Sequence, residues 1–400
     1  MNTISLSWRY LWSRPLAAGL NLLLLTLGLA SITLLVLVSH QINAAFERDL
    51  AGIDVVVGAK GSPMQLILSG VFHLDVPTGN VPLQAIEALK KHPQVAQVIP
   101  ISLGDSFRGF RIVGTTPGYI SHYNVPLAKG TLWAQPMQAV LGAQVAARLG
   151  ITVGDTFAGT HGLGNRGEVH GQTPYTVVGV LATSGSVLDR LVITSNESVW
   201  TVHESDTALD AEDQKILEAE REVTLALIRY KTPLAAVTFP RFINTTTEMQ
   251  AAAPALEITR LLSMIGVGTN VMKALASVLL LTAALSVFIA LWSAVRERRA
   301  DLALLRMLGA PPRKVAGLLL CEALWLALLA TVLGLAAGQG LVLLMGWALQ
   351  LQQSVLIGGM VWPAALAVVP ALALGVAVLS ALLPAWEAYR VSVFELLQSR

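Results

Sequence analysis

The residues that could do chemistry are few and lie in two settings. Glu322 stands inside a long apolar stretch, where a carboxylate needs a partner; pairing with Arg296 or Arg313 is favoured over a functional role. All seven histidines lie between residues 40 and 203. His161 and His170, with Glu168, form a candidate zinc site, because imidazole and carboxylate both suit zinc. No tight ligand spacing accompanies them, so surface or capping roles are favoured over a metal site.

No enzyme motif accompanies these residues. Residues 58–62 resemble a phosphate-binding loop, but the spacing of Gly-x-x-x-x-Gly-Lys-Ser/Thr is absent. Neither His-Glu-x-x-His nor Gly-x-Ser-x-Gly occurs. Cys321 is the single cysteine, which excludes a disulfide or a cysteine-based zinc site within one chain. We therefore expect a chain that is not an enzyme and that holds no cofactor of its own.

The composition indicates a membrane protein. Of the 400 residues, 54% are hydrophobic and 13% are charged, against about a quarter charged in soluble proteins. The net charge of +2, without a basic stripe, argues against nucleic-acid binding. About 20 apolar residues cross a bilayer. Four segments reach that length, at residues 16–39, 274–295, 315–351 and 364–383.

The first of these segments is too long for the apolar core of a signal peptide, so we expect a retained helix. The third is longer than one crossing needs, and its glycines are places to bend or to pack closely. These are Gly334, Gly338 and Gly340.

The flanks of the crossings predict the orientation, because Lys and Arg accumulate on the cytoplasmic side. Basic residues lie before the first crossing, between the second and third, and after the fourth, at Arg9, Arg14, Arg296, Arg298, Arg299, Arg306, Arg313, Lys314, Arg390 and Arg400. The loop 352–363 has none. We expect a multi-pass protein with both termini in the cytoplasm and residues 40–270 outside.

Residues 1–15 have helical periodicity of their own. Ile4, Trp8, Leu11 and Trp12 share one face, which is typical of a helix lying on the cytoplasmic leaflet. A helix continuous with the first crossing, kinked at Pro15, is an equal alternative.

Short β-type runs alternate with helical patches between residues 40 and 270. The strands predicted include 95–103, 107–113, 175–181 and 223–230, and the helices include 143–149 and 211–222. Residues 103–106 read as a hairpin turn. From residue 253 the sequence becomes helical again, so the second crossing can extend outward as a stalk. The fold predicted is four transmembrane helices with an α+β extracytoplasmic domain inserted between the first and second.

Residues 296–314, here called the coupling segment, join the second and third crossings. Leu302, Leu305 and Leu308 give a short helix an apolar stripe, and Gly309 ends it. Such a helix can dock into a groove on a partner. The alternative is an amphipathic loop that rests on lipid headgroups.

The coupling segment resembles the FtsX-like permease domain of ABC systems such as the macrolide exporter MacB, LolC and LolE, and FtsX. The residues concerned are 296–310, 322–324 and the tail 384–397. In the domain outside, residues 139–156 and 175–180 are similar to the MacB-type periplasmic core.

The resemblance implies a permease subunit of the bacterial inner membrane that forms a homodimer. A separate ATPase subunit, holding ATP and Mg²⁺, would meet the coupling segment, and a periplasmic partner protein and membrane lipid are further expected contacts. The implied function is to couple ATP hydrolysis to export, extraction or mechanical signalling. Two alternatives are an FtsX-like regulator of a cell-wall hydrolase and a membrane sensor without an ATPase. The implied ATPase interface comprises Arg296, Glu297, Arg299, Asp301, Leu302, Leu305, Arg306, Leu308 and Gly309.

Overall fold

The computed structural model describes residues 3–162, 173–204, 217–351 and 360–390. The chain forms two compact units. The membrane unit comprises residues 3–43, 265–351 and 360–390, and the sheet unit comprises residues 44–162, 173–204 and 217–264.

The described helices are numbered in chain order. They are α1 (Thr3–Leu11), α2 (Pro15–Leu50), α3 (Pro63–Gly70), α4 (Leu83–Lys90), α5 (Pro117–His122), α6 (Ala143–Leu149), α7 (Asn196–Glu204), α8 (Ala235–Thr246), α9 (Pro254–Glu297), α10 (Arg299–Met307), α11 (Pro312–Leu351) and α12 (Val368–Arg390). There are also two 3₁₀ turns, Val187–Arg190 and Ala364–Ala367, and a short helical stretch at residues 217–219.

Four of the described helices are long and apolar enough to cross a membrane: α2, α9, α11 and α12 with the 3₁₀ turn before it. The sheet unit lies in the chain between α2 and α9, so the predicted fold is confirmed. Helix α9 begins at Pro254 and continues without a break to Glu297, so it is long enough to include the predicted stalk as well as the second crossing.

Helix α1 is separate from the first crossing. The chain leaves helical geometry at residues 12–14, so the alternative of one continuous helix is wrong. The Trp8 ring meets the Trp325 ring of α11 edge-to-face at 5.0 Å between centroids. Helix α1 is thus attached to the third crossing.

Two glycines let α11 approach α2 at backbone distance. A Cβ at Gly334 would lie 2.8 Å from Leu29 Cβ, and a Cβ at Gly338 would overlap Thr33 Cγ2. The expected close packing is confirmed at these two positions, whereas a Cβ at Gly340 would meet nothing within 4 Å. Small residues favour such close contacts between membrane helices.

Polar side chains add cross-links inside the membrane unit. Ser286 Oγ of α9 donates to Asn21 Oδ1 of α2 at 2.6 Å, and Ser380 Oγ of α12 donates to the Ala284 carbonyl at 2.9 Å. Both bonds satisfy groups that would be costly to leave unpaired in hydrocarbon.

The sheet unit is built on one large mixed sheet and a small two-stranded one. The strands are β1 (Val55–Ala59), β2 (Val81–Pro82), β3 (Val95–Phe107), β4 (Phe110–Thr115), β5 (Leu127–Gly130), β6 (Gln138–Leu141), β7 (Thr156–Phe157), β8 (Thr160–His161), β9 (Tyr175–Leu181), β10 (Leu191–Ser195), β11 (Glu222–Val223), β12 (Leu225–Tyr230) and β13 (Met249–Ala252). The large sheet has the order β13-β1-β12-β3-β4-β10-β6-β9-β5, and β2 pairs with β11.

Successive residues of β1 face opposite sides of the sheet, as strand geometry requires. Val56 packs in one apolar cluster, and Val55 and Val57 pack in another. The cluster around Val56 also receives the outer ends of both long helices, namely Phe46 and Leu50 of α2 and Ile258, Leu261 and Leu262 of α9.

The predicted hairpin turn at residues 103–106 is wrong. Strand β3 continues to Phe107, which pairs with Phe110, and the turn consists of Arg108 and Gly109. Both turn residues have positive φ, 47° and 85°, as a two-residue turn that follows the strand twist requires. Residues 104 and 105 lie at a register shift within the strand instead.

Of the predicted helix 211–222, residues 217–219 are helical, whereas Glu222 belongs to β11 and the prediction is wrong there; residues 211–216 lie outside the described residues.

Candidate coupling site

The coupling segment folds into a short helix with defined ends. Helix α9 stops at Glu297, Arg298 leaves helical geometry with φ −98° and ψ 15°, and α10 starts at Arg299. At the other end, Gly309 has φ 92°. The amides of Gly309 and Ala310 donate to the carbonyls of Arg306 and Leu305, both at 3.0 Å. This pair of bonds is the Schellman motif, which stops a helix sharply at a glycine.

The exposed apolar stripe of α10 does not consist of the three residues expected, Leu302, Leu305 and Leu308. Leu302 is only 2% exposed and faces inward, and Leu305 is half-buried. The exposed apolar residues are Leu304 (53%), Met307 (55%) and Leu308 (85%), here called the exposed ridge. Residues at i, i+3 and i+4 share a helix face. Leu304, Met307 and Leu308 have this spacing and therefore form a second apolar stripe on the same helix. Sequence alone did not say which stripe is covered.

The predicted charged residues of the segment are mostly held by neighbours in the membrane unit. The Arg296 guanidinium lies over the Trp292 ring at 5.5 Å, and Arg299 pairs with Glu387 at 2.7 Å. Glu297 forms an ion pair with Arg14. Asp301 is exposed, and Arg306 is half-buried. These contacts fix the segment rather than present a line of charge.

Arg298 is the residue that sequence reasoning missed. Its Nη1 donates to Glu322 Oε1 at 3.0 Å. Its Nη2 donates to the Tyr10 carbonyl at 3.0 Å and to Ser13 Oγ at 2.6 Å. The guanidinium also lies 4.5 Å from the centre of the Tyr10 ring. The signal that could have found it is its place at the junction of two helices.

Glu322 is 4% exposed and is an inward-facing residue of α11. The expected pairing with an arginine is present, but the partners Arg296 and Arg313 were wrong, since Arg298 supplies the bond. The guanidinium of Arg298 balances the negative charge of the buried Glu322 carboxylate and donates a hydrogen bond to it. Arg298 and Glu322 therefore join α1, α10 and α11 at one point.

A groove of about 260 Å³ lies between α1 and the end of α10. Thr3 and Leu6 line it from α1, and Leu305 and Leu308 line it from the coupling segment. Val315 and Leu318 of α11 form its remaining apolar wall. We call this the α1 groove.

Of the three zinc candidates, His161 lies within the described residues. His161 Nδ1 lies 3.3 Å from Asp105 Oδ1 on the adjoining strand. Glu168 and His170 lie outside the described residues. Among residues 3–162, 173–204, 217–351 and 360–390, no three His, Cys, Asp or Glu side chains are placed to hold a metal.

A buried polar cluster lies in the sheet unit. His73 has φ 53°, and its Nε2 is 3.0 Å from the Tyr119 hydroxyl. Burial, together with the positive charges of Arg111 and Arg190, lowers the pKa of His73 well below its usual value. Burial also lowers the pKa of Arg111 to about 10. The cluster therefore favours a neutral His73.

Four crossings, an α/β unit inserted between the first two, and an exposed short helix between the second and third define a polytopic membrane protein of mixed architecture. Residues 18–232 match the MacB-like periplasmic core domain, and residues 273–393 match the FtsX-like permease C-terminal domain. The chain belongs to the MacB/FtsX-type family of ABC transporter permeases.

Curated relatives agree with this family. The chain is 24% identical over 366 residues to the pyoverdine export ATP-binding/permease protein PvdT of Pseudomonas entomophila, covering 86% of this chain and 53% of that protein. It is 23% identical over 377 residues to PvdT of Pseudomonas fluorescens, covering 88% and 53%. The chain thus spans about half the length of the curated relatives it matches.

Two solved structures are also similar. The periplasmic region of MacB from Actinobacillus actinomycetemcomitans is 11% identical, with a TM-score of 0.35, and the match covers 54% of this chain and 95% of that one. The extracellular domain of the noncanonic ABC-type transporter YknZ from Gram-positive bacteria is 12% identical, with a TM-score of 0.31, covering 49% and 98%.

Proposed function

We propose that this chain is a permease subunit that couples ATP hydrolysis by a separate ATPase to export, extraction or mechanical signalling on the periplasmic side. The proposal places the chain in the bacterial inner membrane, with both termini and the coupling segment in the cytoplasm and the sheet unit in the periplasm. A homodimer with two ATPase subunits is the assembly proposed.

The observation that carries the proposal is the exposed ridge. Leu308, at the end of a sharply terminated helix, is 85% exposed, so the described residues of this chain cover little of it. Helices that dock into a hydrophobic groove of a partner do so through apolar residues at i, i+3 and i+4, which is the spacing of the exposed ridge. Arg298 holds the base of the same helix in place.

The path from the ridge to the sheet unit is supported by two long helices. Helices α2 and α9 each run from the membrane unit into the sheet unit without a break. Their outer ends pack into the apolar cluster of the sheet unit through Phe46, Leu50 and Ile258. Movement of either helix would therefore reach the core of the sheet unit rather than a loop.

The four crossings are better suited to transmitting movement than to forming a hydrophilic pore. Glu322 is neutralised by Arg298, and the buried polar residues Asn21 and Ser380 are hydrogen-bonded to neighbouring helices. Polar pathways through membranes are usually lined by ionisable residues that face a cavity.

The relatives support a role beside an ATPase. Their names join an ATP-binding and a permease function, and this chain matches about half of their length. Residues 273–393 match the permease domain specifically. The names of the relatives give pyoverdine as their exported substrate. For this chain the proposal extends only to an exported cargo, without naming the compound.

Replacing Leu308 by Asp tests the interface. We expect the Leu308→Asp chain to lose most of its co-purifying ATPase and most of its stimulation of ATP hydrolysis, because a carboxylate cannot enter an apolar pocket unpaired. Leu234→Asp is the matched control, since Leu234 is 70% exposed on the sheet unit. Undiminished association and stimulation by the Leu308→Asp chain would reject the interface.

A further inference from the structure

The α1 groove has a hydrophobic wall that nothing in the described chain fills. Leu6 is half-buried on the α1 side, and Leu308 is largely exposed on the opposite side. Leu308 belongs both to this groove and to the exposed ridge, so the two surfaces are continuous.

The helices that form the walls of the groove are tied together at their opposite ends and through α11. Arg298 is bonded to the Tyr10 carbonyl and to Ser13 Oγ, which ties the end of α1 to the start of α10. The Trp8 and Trp325 rings tie α1 to α11. A preformed groove costs little ordering when it is filled, which favours binding.

The charge around the groove is positive. Lys314 lines it, and Arg313 is exposed next to it in the chain. No acidic residue of the described chain lines it. An occupant with a carboxylate beside an apolar side chain would therefore complement both the floor and the rim.

We infer that the N-terminal helix α1 is part of the ATPase docking surface, and that the α1 groove receives one large apolar side chain, flanked by a carboxylate, from the ATPase. The inference rests on the proposed function. It adds α1 to the docking surface and specifies the side chains of the ATPase that would bind there. A lipid is the competing occupant, and the test separates the two.

Site-specific photo-crosslinking tests the inference. The full chain is used in isolated membranes together with its ATPase. The photoreactive residue p-benzoylphenylalanine is placed at position 6 in the groove, at position 308 on the ridge, and at position 4. Ile4 is the matched control because it is 54% exposed on the same helix but does not line the groove.

We expect an adduct with the ATPase from positions 6 and 308 and none from position 4. An ATPase adduct from position 308 alone, with only lipid adducts or none from position 6, would overturn the groove and leave the proposed function standing. Equal ATPase adducts from positions 4 and 6 would also overturn it. No ATPase adduct from either 6 or 308 would reject both proposals.

Charge reversal tests the chemistry of the partner segment. Lys314→Glu is expected to weaken ATPase binding several-fold and to reduce its dependence on salt, because a rim attraction becomes a repulsion. Arg9→Glu makes the same change on an exposed part of α1 that does not line the groove. Equal weakening by both variants would overturn the assignment of a carboxylate to the occupant.

Discussion

Arg298 does what a lysine at the same position would not. Its planar guanidinium donates in one direction to Glu322 and in another to the Tyr10 carbonyl and Ser13 Oγ. Arginine has five donors in a fixed fork, whereas lysine carries a single ammonium on a flexible stem. One side chain thereby bonds to two separate helices and to the turn that follows α1.

Removing the carboxylate of this pair should be costly. Glu322→Ala leaves the Arg298 side chain, only 14% exposed, without its counter-ion. Breaking one partner of a buried ion pair costs about 3–5 kcal/mol. We expect a clear fall in the thermal unfolding temperature of the full chain in detergent.

Glu387→Ala is the matched control for that experiment. It removes the partner of Arg299 from a pair whose side chains are 53% and 27% exposed. Exposed pairs contribute about 0–1 kcal/mol. Equal shifts for the two variants would contradict the structural role assigned to Glu322.

His73 should make the sheet unit sensitive to acid. Because its pKa is lower in the folded chain, the unfolded state takes up the proton first as the pH falls below about 6.5. Stability is then lost by up to about 1.4 kcal/mol per pH unit. His73→Asn keeps a residue type that tolerates positive φ, and it should unfold with a smaller temperature shift between pH 7.5 and 5.5. Parallel shifts for the two proteins would contradict this origin.

At the scale of elements, the contact between α2 and α11 depends on Gly338. A Cβ there would overlap Thr33 Cγ2 and lie 3.2 Å from the Ala30 carbonyl. Gly338→Ala should therefore destabilise the membrane unit by about 1–3 kcal/mol through overpacking. Thermal unfolding of the full chain in detergent measures the effect.

Gly340→Ala is its control, two residues further along the same helix. A Cβ at Gly340 meets nothing within 4 Å. Alanine is the better helix former by about 1 kcal/mol. This variant should be as stable as the wild type or more stable, and a loss equal to that of Gly338→Ala would show that space at the helix contact is not the cause.

Elements with a strong local pattern could be predicted from sequence. Strand Tyr175–Leu181 and helix Ala143–Leu149 were predicted with the bounds the structure gives them. The turn at Arg108 and Gly109 was missed because Gly104 and Asp105 carry an equally good turn signal, and only the pairing of β3 with β4 separates the two.

The candidate site was predictable in its place but not in its detail. Periodicity located α10, yet Leu302 turns inward because other parts of the membrane unit cover that face. The partner of Glu322 is set by where α9 ends, which no local pattern records. Long-range contacts of this kind were therefore beyond a reading of neighbouring residues.

At the scale of the whole molecule, the first strand of the sheet unit pairs with its last two strands. Strand β1 lies between β12 and β13, with antiparallel pairing on both sides. The two strands that complete it come from residues 225–230 and 249–252, just before α9. The sheet is therefore complete only where α9 begins.

That strand order has a consequence for biosynthesis. After β1 emerges, its partners follow only about 10–40 s later at a synthesis rate of ~5–20 residues per second. During this interval α2 has not yet met Gly334 and Gly338 of α11, which are made later still. The nascent chain must therefore keep β1 without its neighbouring strands and α2 without its contact to α11 at the same time.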